Sequence, residues 1–199
     1  MTAVSAGGMR SARVVAIYTW LRILLTPVVM VLLMLDGSTA GALSAAALAV
    51  FVLAAATDML DGVLARRWGV QTTLGSFLDT TADKLLVTGV LFALVAVERA
   101  SPWIAALIVG REVAILGLRG VVAAEGTVMA PSRLGKLKTL VQFIAISLAI
   151  VRPGEPIGGL YVDQWAMLVA AVITAVSAVD YLSKFASSFS SPAVPTRGR

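Results

Sequence analysis

The chain has 199 residues, 59% of them hydrophobic and only 14% charged, which is too apolar for an ordinary water-soluble domain, where about half would be expected. Cysteine and histidine are both absent, which excludes disulfides, thiolate nucleophiles and Cys/His metal centres and leaves only hard, oxygen-preferring ions as bound metals. Sixteen Lys and Arg against eleven Asp and Glu give a net charge of +5, read as contact with anionic lipid and not as a nucleic-acid surface.

In chain order, residues 1–13 are polar and small, with Arg10 and Arg13, and read as an N-terminal segment with room for a short interfacial helix. Val14–Leu35 is apolar apart from Arg22 and is long enough for a first membrane-spanning helix, which needs about 20 such residues. Asp36, Gly37 and Ser38 form a turn. Gly41 to about Arg67 predicts a second helix and Thr73 to about Val97 a third; Ser101–Pro102 opens a fourth that runs to about Ala124. Gly126 and Pro131 mark a loop over Glu125–Ser132, and a fifth helix runs from about Arg133 to Val151. Pro153, Gly154, Pro156, Gly158 and Gly159 then break the chain before a sixth helix, Leu160 to about Phe185. Residues 186–199, rich in Ser, Pro and Arg, read as a disordered tail.

The expected fold is therefore an all-α integral membrane protein, with six transmembrane helices in one domain over residues 14–185. With the N-terminus in the cytoplasm, eleven Lys and Arg fall on the inner side and only Arg99 and Arg152 on the outer. That bias places both termini in the cytoplasm.

Helices two and three carry Asp58, Asp61, Asp79 and Asp83. A charge inside a span costs about 2.5–3.5 kcal/mol on insertion scales and marks a functional residue by default. Asp58, Asp61, Gly62 and Ala65 fall within an arc of about 100° on one helix face, and Gly75, Asp79 and Asp83 recur every four residues on another. Taking residue 70 as the midpoint of a hairpin, Asp61 and Asp79 each stand nine residues away, so the two pairs are level. Four carboxylates at close range repel unless cations join them, and one or two divalent ions would turn that liability into a site. Two-metal sites promote displacement at phosphorus. Intramembrane aspartates also mark ion pathways, so a cation transporter is a second reading, although transporter sites lie at mid-bilayer on broken helices.

Asp58-Met-Leu-Asp61-Gly62-Val-Leu-Ala65-Arg66, then Gly75, Asp79 and Asp83 at the spacings seen here, resembles the motif of the CDP-alcohol phosphotransferases. The resemblance implies that Asp58, Asp61, Asp79 and Asp83 hold two Mg²⁺ or Mn²⁺ ions, with Asp83 also the general base. It further implies that Asp58, Gly62, Ala65, Arg66 and Gly75 cradle the CDP moiety and that the enzyme is a homodimer.

Further stretches are similar to the branch of that family that transfers a phosphatidyl group from CDP-diacylglycerol to glycerol 3-phosphate. These are Thr19-Trp-Leu-Arg22 with Pro27, Ala82-Asp83-Lys84, Arg111-Glu112, Leu118-Arg119, Ser132, Gly135-Lys136-Leu137-Lys138-Thr139 with Gln142, and Tyr181-Leu182-Ser183. Thr80 stands where that branch commonly has Pro, and residues 13–17 lack its usual Asn and Pro. The products implied are phosphatidylglycerol phosphate and CMP, made at the cytoplasmic face of a bacterial plasma membrane. The same chemistry with phosphatidylglycerol as acceptor, giving cardiolipin, is the alternative. Arg111, Arg119, Lys136 and Lys138, with Arg133, place cations near the inner ends of helices four and five, suited to an acceptor phosphate. Positive-inside topology alone explains Arg133, Lys136 and Lys138 equally well, while Arg111 with Glu112 reads either as a phosphate contact or as an ion pair between helices.

Overall fold

A computed structural model describes residues 6–37, 41–68, 73–124 and 133–190. Among them are six α-helices: α1 (Ala6–Asp36), α2 (Ala42–Trp68), α3 (Thr73–Ala96), α4 (Pro102–Ala124), α5 (Arg133–Val151) and α6 (Val162–Ser190). Four of the six match the expected spans to within a residue or so. The first differs: residues 6–13 continue into α1 as one helix of 31 residues, so no separate approach helix precedes it. Ala, Met and Arg in this stretch are good helix formers and carry the helix through Gly7 and Gly8, each of which costs about 1 kcal/mol relative to Ala. The last runs to Ser190, beyond the expected end at Phe185, because no Pro occurs before Pro192. Residues 1–5 and 191–199 and the loop 125–132 lie outside the described residues.

No strand occurs among the described residues beyond the bridged pair Ile157 and Leu160. Gly158 (φ 63°) and Gly159 (φ 85°) make the two left-handed steps between them, the pattern of a tight type I′ turn.

Ile17–Asp36 and Val162–Ser183 are long and apolar enough to cross a membrane; Ala42–Thr57 and Leu137–Val151 are shorter apolar stretches. Large apolar side chains stand on the outside of the bundle, among them Leu35 (70% exposed), Val179 (66%) and Trp103 (84%). Such a surface suits an apolar solvent and not water.

α1 packs along both α2 and α3, α6 packs against α4 and α5, and α2 meets α5 across the middle. Pro27 lies inside α1, where it removes one backbone donor. One residue earlier the Thr26 hydroxyl donates to the Arg22 carbonyl at 2.9 Å, a back-bond that itself tends to bend a helix. Gly89 lets α3 approach this turn: a Cβ there would meet Thr26 Cγ2 at 2.8 Å and Met30 Sδ at 3.0 Å.

The apolar core lies toward the end at which α1, α3 and α5 finish. Val29, Leu33, Phe51, Ala54, Leu86, Val90, Leu91, Leu94, Ile108, Ile146, Ile150 and Met167 are among its residues. That end is fastened by Arg99, which is 1% exposed. Its guanidinium donates to Ser44 Oγ and the Ile150 carbonyl, both at 2.6 Å. It also donates to Asp36 Oδ2 at 3.2 Å and to the Gly37 carbonyl. Asp36 Oδ2 in turn accepts from Gly41 N (2.7 Å) and Ser44 Oγ (2.6 Å), capping α2. Arg152 donates to the Glu98 carbonyl at 3.0 Å, pairs with Asp163 at 3.5 Å and lies over the Tyr161 ring. The two cations expected on the outer side are thus both engaged within the protein.

Candidate active site

The opposite end holds the aspartates. α2 is unbroken through Asp58 and Asp61, and α3 is unbroken through Asp79 and Asp83. Each pair therefore spans about one helical turn, as the spacing requires. Asp83 is half-buried. The side chains of Asp58, Asp61, Arg66, Asp79 and Lys136, and the surroundings of Gly62, Ala65 and Gly75, lie outside the described residues.

Beside Asp83 in sequence, Lys84 enters a polar cluster built on Glu112. Glu112 is 8% exposed and sits at mid-length in α4. Lys84 from α3 donates to its Oε2, while Lys138 from α5 donates to its Oε1. Arg111 Nη1 donates to Oε1 at 3.0 Å, and Arg111 Nη2 donates to Ser177 Oγ of α6 at 2.8 Å. One carboxylate thus joins α3, α4 and α5, and Arg111 carries the connection to α6. Three cations on one anion leave a local excess of positive charge in a half-dry setting, where an anionic ligand is strongly favoured.

Next to this cluster runs a groove of about 890 Å³, within the ~300–1,000 Å³ range common for small-ligand sites. Lys84, Arg111, Glu112, Arg119 and Tyr181 line its polar end. Its remaining length is a slot between Leu48–Ala56 of α2 and Leu140–Val151 of α5. Phe51 and Phe143 both line the groove and pack against each other with ring centroids 5.4 Å apart. From Thr139 to Val151 the α5 wall runs about 18 Å at 1.5 Å per residue. A cationic head joined to a long apolar slot matches an amphiphile with an anionic head.

A family model for CDP-alcohol phosphatidyltransferase matches residues 14–176. The chain belongs to the CDP-alcohol phosphatidyltransferase family. It is 42% identical over 136 residues to the CDP-diacylglycerol–glycerol-3-phosphate 3-phosphatidyltransferase of Bacillus subtilis, covering 67% of this chain and 70% of that protein. It is 36% identical over 180 residues to a probable phosphatidylglycerophosphate synthase of Mycobacterium tuberculosis, covering 90% and 84% respectively. The corresponding phosphatidyltransferase of Sodalis glossinidius is 43% identical over 138 residues, covering 67% and 74%.

Within this family member the expected phosphate-binding cations are placed differently from one another. Arg111 and Arg119 line the groove. Lys138 is 3% exposed, holds Glu112 and is not part of the groove wall. Arg111 and Glu112 do form an ion pair, and Arg111 also faces the groove, so the two readings of that pair are compatible. Arg22 is fully buried in α1. Sequence reasoning did not assign Lys84 to the cluster on Glu112, Ser177 to Arg111, or Tyr181 to the groove. Lys84 lies 28 residues from Glu112 and Ser177 lies 66 from Arg111, and only helix packing discloses such pairs.

Proposed function

We propose that the chain transfers the phosphatidyl group of CDP-diacylglycerol to glycerol 3-phosphate, giving phosphatidylglycerol phosphate and CMP. The observation that carries this reading is the groove: a cationic end beside the aspartate-bearing helices, continued by an apolar slot fit for acyl chains. The relatives' names support the same donor and acceptor.

The donor set suits hard divalent ions, since every candidate ligand is a carboxylate on an unbroken helix and the chain holds no Cys or His. Two Mg²⁺ or Mn²⁺ ions on Asp58, Asp61, Asp79 and Asp83 would neutralise the donor diphosphate and the departing CMP. Gly62, Ala65 and Gly75 are assigned to the CDP moiety because they carry little or no side chain, and Arg66 because its charge opposes that of the diphosphate. Arg111 and Arg119, with Lys136, hold the acceptor phosphate; Lys138 and Lys84 fix Glu112 behind them. Asp83 takes the proton from the 1-hydroxyl of glycerol 3-phosphate as that oxygen bonds to the β-phosphorus. The bond from that phosphorus to the CMP oxygen breaks in line.

The same reading makes residues 14–185 one domain of six membrane-spanning helices in a bacterial plasma membrane. Both termini and the aspartate end then face the cytoplasm. Trp103 and Trp165, exposed at the starts of α4 and α6, suit the opposite membrane interface. A homodimer is supported by α4, where Gly110, Gly117 and Gly120 open onto empty space and would admit a close neighbour. Disulfide trapping of Gly117→Cys should give a dimer band, and a purely monomeric product would rule out that face.

The deciding experiment is purified protein with radiolabelled CDP-diacylglycerol, Mg²⁺ or Mn²⁺, and a panel of glycerol 3-phosphate, phosphatidylglycerol and glycerol. Phosphatidylglycerol phosphate is expected as the main lipid product. Cardiolipin from phosphatidylglycerol would instead establish the other acceptor, and label remaining in CDP-diacylglycerol throughout would end the reading.

A further inference from the structure

Among the described residues, the buried polar atoms without a hydrogen-bond partner away from the Arg99 end are Arg22 Nε, Arg111 Nε, Gln142 Nε2, Thr174 Oγ1 and Tyr181 Oη. Shielded polar groups are costly to leave unpaired, so each calls for an explanation. Only two of these side chains, Arg111 and Tyr181, also line the groove. Tyr181 is 7% exposed, and no role in the reaction above falls to it.

Its height in the bundle is informative. α4 and α6 begin at the same end and run the same way, joined where Arg111 donates to Ser177 at 2.8 Å. Tyr181 lies one turn beyond Ser177, about 6 Å along α6, and Arg119 lies two turns beyond Arg111, about 12 Å along α4. Tyr181 therefore sits between the two arginines, on the same groove. Both arginines are donors only, and a phenol is the natural third donor to an oxyanion.

We propose that Tyr181 is a substrate contact that donates from Oη to the acceptor's phosphate between Arg111 and Arg119. The inference rests on the acceptor assigned above. Lys84 and Lys138 already have Glu112, whereas the Tyr181 hydroxyl meets its partner only when the anion arrives. It is thereby a specificity residue, favouring a phosphorylated acceptor over a neutral one.

The test is Tyr181→Phe, which deletes one oxygen that holds nothing in the fold. Glycerol 3-phosphate binding is measured by calorimetry on the purified proteins, alongside competition by inorganic phosphate and the KM for CDP-diacylglycerol. The expected result is a dissociation constant for glycerol 3-phosphate about 10-fold weaker, an equal loss for inorganic phosphate, a CDP-diacylglycerol KM within about twofold, and an unchanged or raised Tm. Unchanged glycerol 3-phosphate binding, a parallel shift in both substrates, or no measurable binding by the unmodified protein would overturn it. So would a variant that fails to fold, because the hydroxyl would then serve structure. A shift for glycerol 3-phosphate without one for inorganic phosphate would move the contact to the glycerol and refute the phosphate assignment. Calorimetry decides Tyr181 whether or not turnover is seen, while product formation by the unmodified protein decides the reaction.

Discussion

Arg99 and Glu112 are mirror images in charge. At one end of the bundle a single buried cation is surrounded by acceptors: Ser44 Oγ, Asp36 Oδ2 and the Gly37 and Ile150 carbonyls. Toward the other, a single carboxylate is surrounded by cations: Lys84, Arg111 and Lys138. The first network has nearly all its donors placed and sits over the apolar core. The second has donors in excess and a groove beside it. A saturated network fixes structure, whereas one with surplus donors next to open volume is prepared for a ligand.

The contrast can be broken at several points. The largest effect is expected from Asp83→Asn: turnover should fall by about 10²–10⁴-fold, the usual weight of a general base. CDP-diacylglycerol binding should fall far less, because Asp58, Asp61 and Asp79 would still hold the ions that meet the diphosphate. Near-normal rates in the purified variant would remove Asp83 from that role. Glu112→Gln should affect both stability and acceptor binding, because three cations lose one shared anion. A loss of about 3 kcal/mol in stability is expected, typical when a buried pair loses one member, together with a raised KM for glycerol 3-phosphate. Equal Tm and equal KM would show that the cluster is neither structural nor part of the acceptor site. Arg99→Met should lower Tm by about 5 °C or more while the surviving folded enzyme keeps its KM values. A selective kinetic defect would erase the distinction between the two ends. Gly89→Ala is the mildest: its new methyl meets Thr26 Cγ2 at 2.8 Å, so a cost of about 1–2 kcal/mol is expected from overpacking, read as a drop in Tm.

What was legible in the sequence follows from the range of the physics involved. Helix boundaries rest on local chemistry, such as Asp36-Gly37, Pro102 and the Pro and Gly run after Val151, and these fall where the helices break. The start of α1 and the end of α6 were missed because polarity there reads as the end of a helix when it marks only a change of surroundings; neither segment holds a Pro, and the Gly7-Gly8 pair does not stop the first. The aspartate ladder was visible because one helical repeat puts both members of a pair on one face. The cluster on Glu112 was not. Its lysines come from helices 28 and 26 residues away in sequence, and periodicity does not say how three helices are rotated against one another.

Arg99 also imposes a timetable. It emerges during synthesis well before Ile150, whose carbonyl lies 51 positions later. At about 5–20 residues per second, the guanidinium waits roughly 3–10 s for that acceptor. Until then the guanidinium itself is held only by Asp36, Ser44 and Gly37. Nascent chains halted before Ile150 should accordingly be cleaved by protease near the α1–α2 turn, and chains halted in α6 should resist; equal cleavage of the two would show that this fastening closes without the fifth helix.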